Sequence, residues 1–152
     1  MISHDGTFQI TTGGDGIHAD SLLHTVGGTI YITESYEGIE AKVVTIDGGT
    51  LNITATDDAI NAADGAIDTS GRGGRGTQEG ILVTVNGGTI TATGGTDGID
   101  SNGNIVINGG DIHLTSRPSG GNRALDASGS ITINGGTVTT NDGSENRGAR
   151  GW

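Results

Sequence analysis

The chain has 152 residues, 31 of them glycine, and a formal charge of −11 from 7 basic and 18 acidic residues. So few Lys and Arg exclude binding driven by counterion release from nucleic-acid phosphates, and no run of 18 apolar residues is present to insert into a membrane. With 18 Ile and 22 Thr the composition favours strands, which excludes a helical globule, and the lack of cysteine excludes disulfides and thiolate-bound zinc.

Met1 to His4 has neither a basic nor an apolar signal segment, so a secretion signal is expected to be absent or already removed. Residues 6–12 then carry Gly6-Thr7-Phe8-Gln9-Ile10-Thr11, the last strand of an incomplete N-terminal coil. Across residues 13–140 one motif recurs five times, in Asp15-Gly16-Ile17-His18-Ala19, Glu37-Gly38-Ile39-Glu40-Ala41, Asp58-Ala59-Ile60-Asn61-Ala62, Asp97-Gly98-Ile99-Asp100-Ser101 and Arg123-Ala124-Leu125-Asp126-Ala127. Each is followed by a Gly-Gly pair, at Gly27, Gly48, Gly87, Gly109 and Gly135, with spacings of 21, 39, 22 and 26. A period of 21–22 with three short apolar runs is one coil of a solenoid, whose repeats bury nothing without neighbours above and below.

Three strands per coil follow: one around Ile17 and its equivalents, one through Leu23, Val44 and Ile46 and their copies, and one at Thr29-Ile30-Tyr31-Ile32-Thr33 and its copies. Alternation turns Ile30, Leu51, Ile90, Ile112 and Val138 inward, with Ile32, Ile53, Ala92, Leu114 and Thr140 as a second inward column. Asp47, Asn86, Asn108 and Asn134 precede the Gly-Gly pairs and read as a corner ladder, the Asn and Asp tolerating left-handed backbone. The two long spacings mark insertions, a loop over residues 64–80 and Arg117-Pro118-Ser119-Gly120-Gly121; residues 141–152 have no apolar period and are expected to fray. The whole is a single all-β domain, a parallel β-helix of about five coils.

Stacking places Asp15, Glu37, Asp58 and Asp97 in one column, and His18, Glu40, Asn61, Asp100 and Asp126 in another, with Asp20 and Asp57 close by. Two carboxylates about 4.8 Å apart repel by roughly 3 kcal/mol at an effective dielectric of 20. Either this is a solvated acidic face or a hard cation sits between coils, and the oxygen-rich donor set favours Ca²⁺ over the more rigidly octahedral Mg²⁺. A nonapeptide calcium roll is excluded, because the period here is not nine. Outward positions of the third strand carry rows of Thr interrupted by Tyr31, Asn52, Asp111 and His113, which suits a sugar better than an ice lattice. Tyr31, Asn52 and His113 are therefore candidate ligand contacts. Arg72 and Arg75, in the loop over the acidic coils, join them and admit a minor alternative, a calcium-dependent polysaccharide lyase. The four His fall at unrelated repeat positions, and no nucleophile elbow is present.

The motifs Gly14-Asp15-Gly16-Ile17-His18-Ala19-Asp20, Ser35-Tyr36-Glu37-Gly38-Ile39-Glu40-Ala41, Thr56-Asp57-Asp58-Ala59-Ile60-Asn61-Ala62, Gly95-Thr96-Asp97-Gly98-Ile99-Asp100-Ser101 and Ala124-Leu125-Asp126 resemble a bacterial family of secreted carbohydrate-binding, calcium-binding right-handed parallel β-helices with a pectate-lyase-like fold. The resemblance implies a cellulose-like or pectic polysaccharide partner, calcium between coils, a place outside the cell or on the bacterial surface, and no catalysis. Metal binding carries over to Asp15, Asp20, Glu37, Glu40, Asp57, Asp58, Asn61, Asp97, Asp100 and Asp126, with full ligation expected between Glu37 and Asp100. A different class of function is also open, since exposed strand edges at the two ends permit end-to-end assembly into a filament.

Overall fold

A computed structural model describes residues 1–65 and 77–146. Its strands are β1 (Ile2–Ser3), β2 (Thr7–Thr11), β3 (Ile17–His18), β4 (Leu22–Thr25), β5 (Thr29–Glu34), β6 (Ile39–Ala41), β7 (Val43–Ile46), β8 (Thr50–Ala55) and β9 (Ile60–Ala62). They continue as β10 (Leu82–Val85), β11 (Thr89–Gly94), β12 (Ile99–Ser101), β13 (Asn104–Ile107), β14 (Asp111–Ser116), β15 (Leu125–Ala127), β16 (Ile131–Ile133) and β17 (Thr137–Thr140). Every strand pairs in parallel with the third strand along, giving three ribbons: β1-β4-β7-β10-β13-β16, β2-β5-β8-β11-β14-β17 and β3-β6-β9-β12-β15. This is a parallel β-solenoid. It makes about six turns, one more than the five repeated motifs, because the incomplete N-terminal coil supplies β1 as well as β2.

Register aligns like with like. Ile30, Leu51, Ile90, Ile112 and Val138 are successive partners in the second ribbon, and all but Val138 are at most 1% exposed. Ile39, Ile60, Ile99 and Leu125 form the corresponding column of the third ribbon. Each aliphatic chain packs on its copies in adjacent coils, so a narrow core excludes water.

The corners explain the glycines. A Cβ on Gly48, Gly87, Gly109 or Gly135 would meet the carbonyl oxygen of Val26, Asp47, Asn86 or Asn108 in the coil below at 2.6 Å, and the second glycine of each pair, as at Gly49 and Gly110, has φ near +94° and +101°. The left-handed backbone expected at the Asn and Asp therefore falls on glycine instead; among the described residues no other type has positive φ. Freed of that role, the side chains form a ladder. Asn86 Nδ2 donates to Asp47 Oδ1 at 2.7 Å, Asn108 to Asn86 at 2.8 Å, and Asn134 to Asn108 at 2.8 Å. His24 Nε2 lies 2.6 Å from Asp47 Oδ2 and extends the ladder into the first full coil. These contacts hold the Asp47 carboxyl below its ordinary pKa, the Asn86 hydrogen bond contributing most.

The two ends differ. At the N-terminal end Met1, Ile2, Phe8, Leu22 and Val26 are exposed apolar side chains. At the other, residues 141–146 do not fray as expected but fold over the last coil. Asn141 bonds both the amide and carbonyl of Ser116, Asp142 Oδ2 accepts the Ala124 amide, and Ser144 Oγ accepts the Leu125 amide. Edge donors that lack a further coil are thus met by side chains, a polar cap without apolar period. No helix among the described residues is long and apolar enough to cross a membrane.

Candidate functional site

The third ribbon is short, two or three residues per strand, and each strand is entered through a turn that carries an acid in four coils, Asp15, Glu37, Asp58 and Asp97, and Arg123 in the fifth. Those turns stack their acids by backbone bonds. The Glu37 amide donates to Asp15 Oδ1, the Asp97 amide to Asp58 Oδ1 at 3.0 Å, and the Arg123 amide to Asp97 Oδ1 at 2.6 Å. Each bond uses one carboxylate oxygen of Asp15, Asp58 or Asp97. Three residues on, at the second position of each strand, His18, Glu40, Asn61, Asp100 and Asp126 are successive register partners.

The result is two all-carboxylate groups sharing Asp58. Glu37, Asp57 and Asp58 offer oxygens that all lie within 4.8 Å of one another, as do Asp58, Asp97 and Asp100. Glu37, Asp58 and Asp97 are buried. Burial, and then the charges of Asp100 and Asp97, push Asp58 up to about 8; burial, then Asp97 and Asp126, push Asp100 to about 7; burial also raises Asp97 to about 6 against the Arg123 amide. Burial likewise drives Glu37 well above the carboxylate range, and the hydrogen bond that its protonated form donates to Glu40 adds to it.

Asn61 stands between the groups. Its Nδ2 donates to Glu37 Oε2 at 2.9 Å and Glu40 Oε2 at 3.3 Å, while its buried Oδ1 has no partner among the described residues. An orphaned amide oxygen beside uncompensated buried carboxylates is a donor set made only of oxygen. Ligands on one calcium at 2.3–2.6 Å lie at most about 5 Å apart, so the 4.8 Å spread of each group fits such an ion.

The other acids are placed differently. Asp15 and Glu40 gather around His18, whose Nδ1 lies 2.8 Å from Glu40 and 3.9 Å from Asp15. Asp20, nearly fully exposed, reaches only His18 Nε2 at 3.4 Å. Here an imidazole stands among the acids in place of a further carboxylate. Asp126 belongs to neither group; it lies 4.0 Å from Arg123 Nε and with it lines an open hollow of about 710 Å³ that also contains Asp57, Asp58, Asp97 and Asp100. Arg123, which interrupts the acidic column in sequence, was not among the candidates, and its only signal was that interruption.

Of the sugar candidates, Tyr31 and Asn52 are register partners on β5 and β8 and share a hollow of about 300 Å³. His113 lies beyond Thr91 in the same row, its Nε2 3.0 Å from Asp111, outside that hollow. Arg72 and Arg75 lie outside the described residues.

No curated protein and no solved structure matches the chain. Residues 1–75 match the model of a family described as carbohydrate-binding domain-containing protein. The match supports a carbohydrate-binding role, and it covers Tyr31, Asn52, Asp58 and Asn61 while ending before Asp97 and Asp100.

Proposed function

We propose that the chain is a non-catalytic carbohydrate-binding module, working outside the cell, whose middle coils are clamped by calcium. The family match over residues 1–75 carries the carbohydrate reading. Calcium is supported by the two carboxylate groups around Asp58 and by the orphaned Asn61 Oδ1. Glu37, Asp57 and Asp58 would hold one ion, and Asp58, Asp97 and Asp100 another. Calcium supplies the positive charge that this column lacks, and the millimolar calcium outside cells suits sites of modest affinity.

Binding without cleavage is favoured by the acids themselves. Similar carboxylate sets recur in successive coils, whereas hydrolysis or elimination needs one acid–base pair at one place. The polymer is of plant type, cellulose-like or pectic.

Affinity electrophoresis through gels containing cellulose derivative, xylan or polygalacturonate, run in calcium and in chelator, tests the reading. Retardation by at least one polymer with no shortening of the polymer supports it. Mobility unchanged by all three contradicts it, and release of unsaturated sugar would move the chain to the lyases.

A second reading, end-to-end assembly, draws on the uncovered edges of β1 and β2 and the exposed Ile2 and Phe8 beside them. Light scattering that rises with concentration and collapses in Phe8→Asp supports it; a monomer at all concentrations removes it.

A further inference from the structure

The second ribbon presents a flat outward face that the acidic columns do not reach. Across β5, β8 and β11 its outward row reads Tyr31, Asn52, Thr91, and beside it run Thr33, Thr54 and Thr93. Neighbouring strands are about 4.8 Å apart, so the first row places an aromatic ring, an amide and a hydroxyl over roughly 10 Å. These six side chains line the hollow of about 300 Å³.

Three properties separate this face from an ordinary strand surface. Tyr31 is 41% exposed and forms a wall of the hollow, so its ring offers an apolar flank to whatever lies there. The side chains of Asn52, Thr54, Thr91 and Thr93 make no hydrogen bond within the described residues, unlike the corner asparagines, each of which is spent on the next. And no ionised group lines the hollow; Asp111 lies one strand beyond, on β14, 3.0 Å from His113 Nε2. A ligand here is met by an aromatic face and by neutral donors and acceptors. An anionic sugar finds no cation, in a chain of net charge −11.

Resting on the carbohydrate-binding reading above, we infer that a neutral polysaccharide binds in the hollow on the β5–β8–β11 face, one pyranose ring stacked on Tyr31 and its hydroxyls bonded to Asn52, Thr91 and their neighbours. The sugar and the acidic columns then occupy different ribbons, so calcium acts on the fold and does not bridge to the ligand.

The test is affinity electrophoresis of the full chain in calcium, through gels holding a soluble neutral glucan or polygalacturonate, with melting temperature as a check on folding. The glucan is expected to retard the wild type. Tyr31→Ala is expected to weaken that retardation about tenfold or more, as loss of an aromatic anchor does, with Tyr31→Phe close to wild type and the melt unchanged. Asn52→Ala is expected to weaken it less, and His113→Ala not at all. Wild-type binding that survives Tyr31→Ala and Asn52→Ala together overturns the site while leaving the carbohydrate reading intact, and retardation by polygalacturonate alone overturns the neutral class. Retardation by neither polymer overturns both.

Discussion

Two polar columns climb this solenoid, and they are built on opposite principles. The corner column, Asp47-Asn86-Asn108-Asn134, closes itself, because an amide both donates and accepts and each rung can satisfy the next. The column of Glu37, Asp58, Asp97 and Asp100 has only acceptors once ionised, so it cannot propagate; backbone amides take one oxygen from Asp58 and one from Asp97, the Asn61 amide takes one from Glu37, and these few donors leave the carboxylates crowded against like charge. The first column is complete as a structure. The second requires protons or a cation, and this is the physical content of its raised pKa values.

The largest expected effect follows from supplying the missing charge. Calcium at about 100 times its dissociation constant stabilises by roughly 2.7 kcal/mol per site, which for a chain of this size is a rise of about 5–10 °C in melting temperature. Asp58→Asn, at the residue both groups share, is expected to abolish that rise. In chelator the same variant is expected to melt above the wild type at pH 8, because an amide keeps the Asp97 hydrogen bond while removing a charge. Differential scanning fluorimetry of the two proteins with and without calcium checks both statements, and a full calcium response in Asp58→Asn would erase the distinction between the columns.

The pH dependence is the next effect in size. Asp58, Asp97 and Asp100 bind protons more tightly folded than unfolded, near 8, 6 and 7 against about 3.8. Between those limits the folded state carries the extra protons, and Glu37, raised from 4.5 to about 9, holds its proton further still, so stability in chelator falls as pH rises from about 4 to 9 and then levels. Asp47 and Asp142 are shifted downward and act in the opposite sense only below about pH 4. For Asp142 burial opposes the shift, but hydrogen bonds from Ser144, Ala124 and Thr140 outweigh it. Urea melts across this range should show the decline, with calcium flattening it; stability rising from pH 5 to 8 in chelator contradicts the assignment.

Breaking the self-sufficient column should cost less and be blind to metal. Asn108→Ala removes the donor to Asn86 and the acceptor of Asn134 at a solvent-exposed corner, a loss of about 1–2 kcal/mol. Its calcium-induced rise should equal the wild type's in the same fluorimetry. The smallest effect belongs to the first full coil, where His18 already partners Glu40 and Asp15. His18→Gln is expected to change stability by under about 1 kcal/mol, as exposed pairs do, and to leave the calcium response unchanged.

How far these columns were legible in sequence differs in the same way. The period, the inward aliphatic columns and the vertical alignment of acids all follow from counting residues between Gly-Gly pairs, since each coil repeats the same local rules. What the count missed is not periodic. The pairing of β1 rests on Ile2 and Ser3 alone, too short for any alternation. The cap at Asn141, Asp142 and Ser144 answers the unpaired amides of Ala124 and Leu125, a demand created only by the end of the stack. His24 joins the corner ladder from an outward strand position that no other coil uses. The partition of acids into two groups sharing Asp58, with Asp20 and Asp126 outside, depends on side-chain reach that spacing does not encode.

Calcium binding to chelator-stripped protein, followed by isothermal titration calorimetry for the wild type and Asp58→Asn, tests the central claim most directly. The account predicts about two ions bound per chain by the wild type, from the two groups around Asp58, and none at those positions in the variant. No heat in the wild type, or an isotherm unchanged by Asp58→Asn, would contradict it.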